Sequence, residues 1–366
     1  MKNAFKSLLL AFITMFAGVV AIAQVTTSAL SGRVVDQNGE PVVGAAVLAQ
    51  HEPSGTVYGA VTNADGRYTI QGMRTGGPYK VEVSCLGYQE TDYTGVILQL
   101  AETYNLNAQI AESNEFLSES IVVAAPTSKF AAQEKTGAST NISNDQIIAL
   151  PTVNRSVTEV TRLSPYGGNG MTFAGADGRT ANFTVDGANF NNNFGLSSNL
   201  PGGGNPISID AIEEVQVVIS PYDVRQTNFI GGGLNAITKS GTNKFKGSAY
   251  VYHRNENMRG DAIEGEQISN ARATDRNTTF GFTLGGPIVK NKLFFFVNAE
   301  MSKTPTIANR WRGSTNGVKD ADNYISRTTL SDLQTVSEFV KNKYGYDTGS
   351  WTDFPANEEN RKILAR

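Results

Sequence analysis

The sequence predicts a mainly β chain: a small β-sandwich, then a mixed α/β segment, then the first strands of a transmembrane β-barrel that stays incomplete. Three observations carry this expectation. From Thr26 to Ala111, short β-branched and aromatic runs alternate with Gly, Asn and Asp turns. A two-residue period opens at Phe245 and returns around Phe280 and Leu293. Glycine supplies 37 of 366 residues and charged residues only 18%, the balance of a loop-rich β architecture.

Composition narrows the functions open to such a chain. The formal net charge is −3, so nothing points to nucleic acid as a partner. The one cysteine, Cys85, lies in the apolar run Val81-Glu82-Val83-Ser84-Cys85-Leu86. No internal disulfide is possible, and the residue reads as a small buried hydrophobe. Residues 1–23 read as a secretory signal peptide: Lys2 and Lys6, the apolar run Leu8–Val20, then Ala21-Ile22-Ala23 as cleavage site and Gln24 as mature start. Leu8–Ala23 spans 16 residues, short of the roughly 20 a spanning helix needs. No cysteine stands near the cleavage site to take a lipid, and no later segment has the length of a membrane helix. Any passage through a membrane therefore falls to a barrel.

Residues 24–112 are expected to form the sandwich. Strands are expected at Leu30–Asp36, Ala45–Gln50, Gly59–Thr62, Arg67–Ile70 and Tyr79–Val83. Turns fall at Gln37-Asn38-Gly39-Glu40-Pro41 and Asn63-Ala64-Asp65-Gly66. The phrases SGRVVDQNGEPVVGAAV, TNADGRYTI and YKVEVSCLGYQ resemble the carboxypeptidase regulatory-like domain. That resemblance implies a prealbumin-like sandwich without chemistry of its own.

Residues 113–133 are polar and read as a linker. Within it, 119–125 is the run Glu119-Ser120-Ile121-Val122-Val123-Ala124-Ala125, ended by Pro126. This short β-branched run has no strand beside it in sequence to pair with, and such a segment is a donor for addition to another sheet edge.

Residues 134–244 follow. Asp145–Leu150 reads as a short turn or helix stopped by Pro151. Ser156-Val157-Thr158-Glu159 has the capping-box form, after which Val157, Val160 and Leu163 are expected to share a helix face until Pro165. A strand is expected at Asn182–Gly187, in a Gly- and Asn-rich stretch whose Phe173, Phe183, Phe190 and Phe194 argue for order. Ile212–Ile219 and Leu234–Thr238 read as strands flanking Gly231-Gly232-Gly233, where backbone passes without room for a side chain.

LPTVNRSVTEVTRLSP, FTVDGANFNNNFG and SPYDVRQTNFIGGGLNAITKSGTN match, in order, the plug of a TonB-dependent outer-membrane receptor. The resemblance implies that Asp186, Gly187, Gly231, Gly232 and Gly233 are structural plug residues. It also implies that Glu119, Ser120, Ile121, Val122, Val123 and Ala124 form the TonB box, which pairs with the periplasmic C-terminal domain of TonB.

From 245 to 366 the chain is expected to begin a barrel and break off. Strands are read at Phe245–Tyr252, Phe280–Gly285 and Leu293–Glu300, joined by the polar loop Asn255–Asn277 and the short link Gly286–Lys292. Outer-membrane barrels have long external loops and short periplasmic turns, so the first strand runs outward. Ser302–Arg366 is then the next external loop, with a helix around Ser331–Lys343 whose Leu333, Val336 and Val340 fall on one face. Three strands cannot close a barrel of about 22, so the chain is expected to be a piece of a larger receptor.

No G-x-S-x-G, P-loop or Cys/His cluster occurs, and no catalytic residue, metal or cofactor is assigned. His253-Arg254-Asn255-Glu256 has the H-x-x-E form of a zinc-ligand pair, but the only other histidine, His51, lies in the first domain. The resemblance implies an importer in the Gram-negative outer membrane, with sandwich and plug on the periplasmic side. Its partners would be TonB with its inner-membrane energising complex, outer-membrane lipid and an extracellular substrate that the sequence does not name. A non-transporting surface protein for adhesion or signalling is the alternative. Glycan-importing relatives carry an S-I-N-G-S phrase; this chain instead has TVDGANFNNNFG, closer to the Oar-like subgroup. That departure speaks against a carbohydrate cargo and leaves a lipoprotein lid open.

Overall fold

A computed structural model describes residues 26–113, 121–124, 133–134, 137–150, 152, 155–191, 200–201, 205–221, 226, 228–258, 260, 262–267, 276–305, 311–350 and 357–366. The expected signal peptide, box residues Glu119 and Ser120, and Phe194 lie outside the described residues. The chain divides into two compact units, residues 1–246 with 285–296 and 365–366, and residues 247–284 with 297–364.

The first unit opens with the sandwich. Its strands are β1 (Ser28–Val35), β2 (Ala46–His51), β3 (Thr56–Val61), β4 (Arg67–Met73), β5 (Gly76–Ser84), β6 (Thr91–Leu98), β7 (Thr103–Asn105) and β8 (Ala108–Gln109). Two strands from the expected linker join them, β9 (Ile121–Ala124) and β10 (Gln133–Glu134). One sheet runs β3-β2-β5-β6-β9; the other runs β10-β7-β1-β4, with β8 also on β1. The period-2 pattern explains the core between them. Val47, Ala49, Tyr79, Val81 and Val83 from one sheet meet Leu30, Val34, Tyr68 and Ile70 from the other, all buried. Cys85 is only partly buried against this core. Strand β6 escaped the sequence reading because it opens Thr91-Asp92-Tyr93, three consecutive buried residues, two of them polar.

The plug-like region of the same unit is a mixed sheet. Its elements are β11 (Gly137–Ser143), α1 (Asn144–Ala149), α2 (Val157–Val160), β12 (Asn182–Val185), β13 (Ala188–Asn189), β14 (Ile212–Pro221) and β15 (Gly233–Thr238). The sheet order is β11-β14-β15-β12-β13, with β12 parallel to β15 and β14 antiparallel to both neighbours. Phe173, Phe183, Ile212 and Leu234 are fully buried in it, and Phe190 stacks on Phe183 with ring centroids 6.4 Å apart.

The helix expected to carry Leu163 is shorter than read. Only Val157–Val160 is α; Thr161–Leu163 tightens to a 3₁₀ turn, which swings Leu163 to 40% exposure. Pro165 forces this, since the residue before a proline is driven out of the α region and Ser164 is extended. Ser156 caps through the N–H of Thr158 rather than through Glu159.

The second unit holds most of a four-stranded sheet, where three strands were expected. In order β16-β19-β20-β23 it comprises β16 (Lys246–Arg254), β19 (Asn277–Val289), β20 (Leu293–Thr304) and β23 (Glu358–Ala365). Between them lie the small ladders β17 (Ala262–Ile263) with β18 (Glu266–Gln267), and β21 (Arg312–Ser314) with β22 (Ile325–Thr329). Part of the expected loop Ser302–Arg366 is thus a strand. Its sequence reads polar because both faces carry charge, Glu358 and Lys362 on one with Asn360 between them, Glu359 and Arg361 on the other.

The Lys362 face holds a polar cluster: the Tyr250 hydroxyl donates to Glu300 Oε2 at 2.9 Å and Lys362 Nζ to Glu300 Oε1 at 2.7 Å. On the opposite parity Val251, Phe280, Phe282, Leu284 and Ile363 are exposed. Strand β19 also runs four residues past its expected end, through Val289, leaving a three-residue turn before β20.

Helix α3 (Leu330–Tyr344) is capped at Thr329, whose Oγ1 accepts the Asp332 N–H at 3.1 Å, and ends on Gly345 at φ 67°. Leu333 and Val340 are half-buried, but Val336 points to solvent. No helix among the described residues is long and apolar enough to cross a membrane.

Candidate functional site

The segment read as a partner-binding strand does have a neighbour. Strand β9 pairs in parallel with β6, in the register Thr91↔Ile121, Asp92↔Val122, Tyr93↔Val123 and Thr94↔Ala124. The sheet order ends at β9, so β9 covers the edge that β6 would otherwise present, and its own outer edge closes the sheet. Val122 is 64% exposed, so this side chain adds little apolar burial to the pairing.

The energetics of a four-residue addition are closely balanced. Each backbone bond nets about 0.5–1.5 kcal/mol, while fixing one residue's backbone costs about 1–2 kcal/mol.

Three carboxylates lie near this edge. Glu82, Glu90 and Asp92 bring oxygens within 4.8 Å of one another. Lys80 Nζ stands 2.9 Å from Asp92 Oδ2 and 4.0 Å from Glu82 Oε2. An ammonium already supplies the countercharge there, which disfavours a cation at this cluster.

A second junction joins the sandwich to the mixed sheet. β6 leads into β7 through a tight turn with Leu100 at its tip, and Leu100 is fully buried. Its N–H donates to Glu214 Oε1 and Oε2 at 3.0 and 3.1 Å. Its carbonyl accepts from Asn141 Nδ2 and Gln216 Nε2, both at 2.9 Å. The mixed sheet brings these three side chains together: Glu214 and Gln216 are two apart on β14, hence on one face, and Asn141 is the cross-strand partner of Gln216. Burial pushes the Glu214 carboxyl up to about 8, the Leu100 N–H opposing that shift.

The residues assigned to plug structure lie close by. Asp186 at φ 47° and Gly187 at φ 86° form the turn from β12 to β13, the positive pair that a tight hairpin turn requires. Asp186 Oδ1 accepts the Thr238 N–H at 3.0 Å and Oδ2 accepts the Thr238 hydroxyl at 2.6 Å. A Cβ on Gly231 would stand 2.3 Å from Ala176 Cβ, and one on Gly232 would stand 2.7 Å from Phe173 Cβ. One on Gly233 would meet the Phe229 ring at 3.0 Å.

The H-x-x-E residues are engaged separately. His253 Nδ1 lies 2.8 Å from Thr278 Oγ1 and Nε2 lies 3.3 Å from Asn255, while Glu256 takes Arg276 at 3.1 Å. Sequence reasoning missed the Leu100 turn and the polar trio; Glu214 and Gln216 read there only as alternate positions of a strand.

Two family descriptions match: a carboxypeptidase regulatory-like domain over residues 29–111 and an outer membrane beta barrel domain over residues 237–349. The TonB-dependent transporter Oar of Myxococcus xanthus is 28% identical over 307 residues, 78% of this chain. The chain is similar to a TonB-dependent transporter. It spans 28% of that transporter's length.

Two solved receptors are also similar. The siderophore receptor PirA from Acinetobacter baumannii is 21% identical with a TM-score of 0.35, over 46% of this chain and 24% of the receptor. PirA from Pseudomonas aeruginosa is 19% identical with a TM-score of 0.34, over 47% and 28%. The chain thus joins a regulatory-like sandwich to an outer-membrane β-barrel segment, and the stretch similar to the transporter is long enough to take in residues between the two domains.

Proposed function

We propose that this chain belongs to a TonB-dependent transporter of the outer membrane, importing an extracellular substrate at the expense of the inner-membrane proton gradient. The observation that carries the reading is the 307-residue similarity to the transporter Oar. The sheet of the second unit, polar around Glu300 and apolar along Phe280, Phe282 and Leu284, suits a strand set with lumen on one side and lipid on the other. Residues 119–125 serve as the TonB box, sandwich and plug face the periplasm, and the machinery is a binding and pulling one, without catalytic residues.

One substitution tests the coupling. Proline at position 122 removes a ladder donor, so Val122→Pro is expected to abolish capture of the receptor by the purified periplasmic domain of TonB. Undiminished capture refutes the box assignment. In cells, loss of the receptor and loss of TonB should produce the same growth deficit on the same nutrient. A receptor phenotype that survives without TonB supports the adhesion or signalling alternative.

A further inference from the structure

We propose that the β6 edge of the sandwich is the resting dock of strand 121–124, and that a partner recruiting this strand binds only the undocked population. The inference rests on the reading of 119–125 as a recruited strand and adds where that strand waits. Three observations carry it. The pairing is a four-residue parallel ladder with one register and no shift. Strand β10 returns to the sandwich on its other sheet, Gln133 opposite Tyr104 and Glu134 opposite Thr103, so the segment between the domains is held against the sandwich at both ends. The Leu100 turn that follows β6 is in turn gripped by Glu214, Gln216 and Asn141. The dock is therefore a fixed edge rather than a mobile one.

The consequence follows from mass action. A strand has two edges, and docking consumes the one that faces β6. A partner that needs this edge meets an apparent affinity reduced by the undocked fraction. Its recruitment of β9 also strips β6 of its cover, so a pull on the strand is first felt by the sandwich. The competing geometry adds the partner to the outer edge of β9 while the strand stays docked.

A reversible cross-link separates the two. Thr94 and Ala124 are Cα partners in the ladder, within the spacing a disulfide bridges. In the full receptor, carrying Cys85→Ser, the pair Thr94→Cys and Ala124→Cys is expected to cross-link under mild oxidation. Binding of the purified TonB periplasmic domain should then fall at least about tenfold and return on reduction. Failure to cross-link in the folded receptor overturns the dock. Binding that is unchanged or tighter when cross-linked overturns the competition. Amide exchange on the unaltered receptor gives the same answer without substitutions: 121–124 should be protected alone and show no protection if the dock is wrong. A free peptide of residues 119–125 that fails to bind the TonB domain defeats the box reading instead, leaving the cross-link result standing.

Discussion

The main-chain N–H of Leu100, at the tip of a sandwich turn, donates to both carboxylate oxygens of Glu214 in the mixed sheet, at 3.0 and 3.1 Å. With Gln216 and Asn141 donating to the Leu100 carbonyl, both main-chain polar groups of one buried residue are satisfied by the mixed sheet. An unpaired buried backbone group is costly, so this turn fits the face of the mixed sheet.

The latch carries a pH dependence with a definite sign. Burial raises the Glu214 carboxyl from 4.5 to about 8, so between these values the folded chain holds a proton that the unfolded chain has lost. Stability from this group is fully present below about 4.5 and declines as pH rises through about 8. The stability of the sandwich and mixed sheet is expected to fall over that range by on the order of a few kcal/mol, read as a lower melting midpoint. Glu214→Gln keeps an acceptor for Leu100 and should flatten the profile. A wild-type profile that rises between pH 5 and 8 contradicts the assignment.

Gly232 lets the backbone pass against the Phe173 side chain. A Cβ there would stand 2.7–2.9 Å from three atoms of the buried Phe173 side chain. Gly232→Ala is expected to destabilise the plug by about 1–3 kcal/mol, the usual cost of overpacking, read as a lower denaturant midpoint. The companion change Phe173→Leu should recover part of the loss; a fully tolerated Gly232→Ala excludes the close approach.

The Glu300 and Lys362 pair is buried on the polar face of the barrel sheet, their side chains 3% and 8% exposed. Removing one member leaves the other uncompensated, which costs about 3–5 kcal/mol, whereas replacing both is close to neutral. Lys362→Met should lower the temperature at which the folded receptor loses its compact migration on a detergent gel. Adding Glu300→Gln should restore most of it. Equal behaviour of the single and double variants rules out coupling between the two.

Much of this fold is legible in the residues themselves. Tyr79, Val81 and Val83 alternate with Lys80 and Glu82, and the structure buries the first set. Phe280, Phe282 and Leu284 declare a barrel strand by the same period. What fails to show is any element whose pattern serves two neighbours at once. Strand β6 hides because Thr91 and Asp92 are buried polar residues. β23 hides because charged residues stand on both of its faces, Glu358 and Lys362 on one and Glu359 and Arg361 on the other.

The sequence by itself determined the kind of most segments, a sandwich punctuated by turns, a mixed α/β stretch and strands of period two, but not β6 or β23. Local chemistry suffices for that, since turn residues, β-branched runs and alternation act over a few positions. Only the tertiary structure decided which edges meet. Ile121–Ala124 could pair with any open edge, and β6 offers one; Leu100 could face solvent, and Glu214, Gln216 and Asn141 enclose it. Backbone donors and acceptors are alike at every residue, so partner choice is settled by three-dimensional placement and leaves no mark in the order of the side chains.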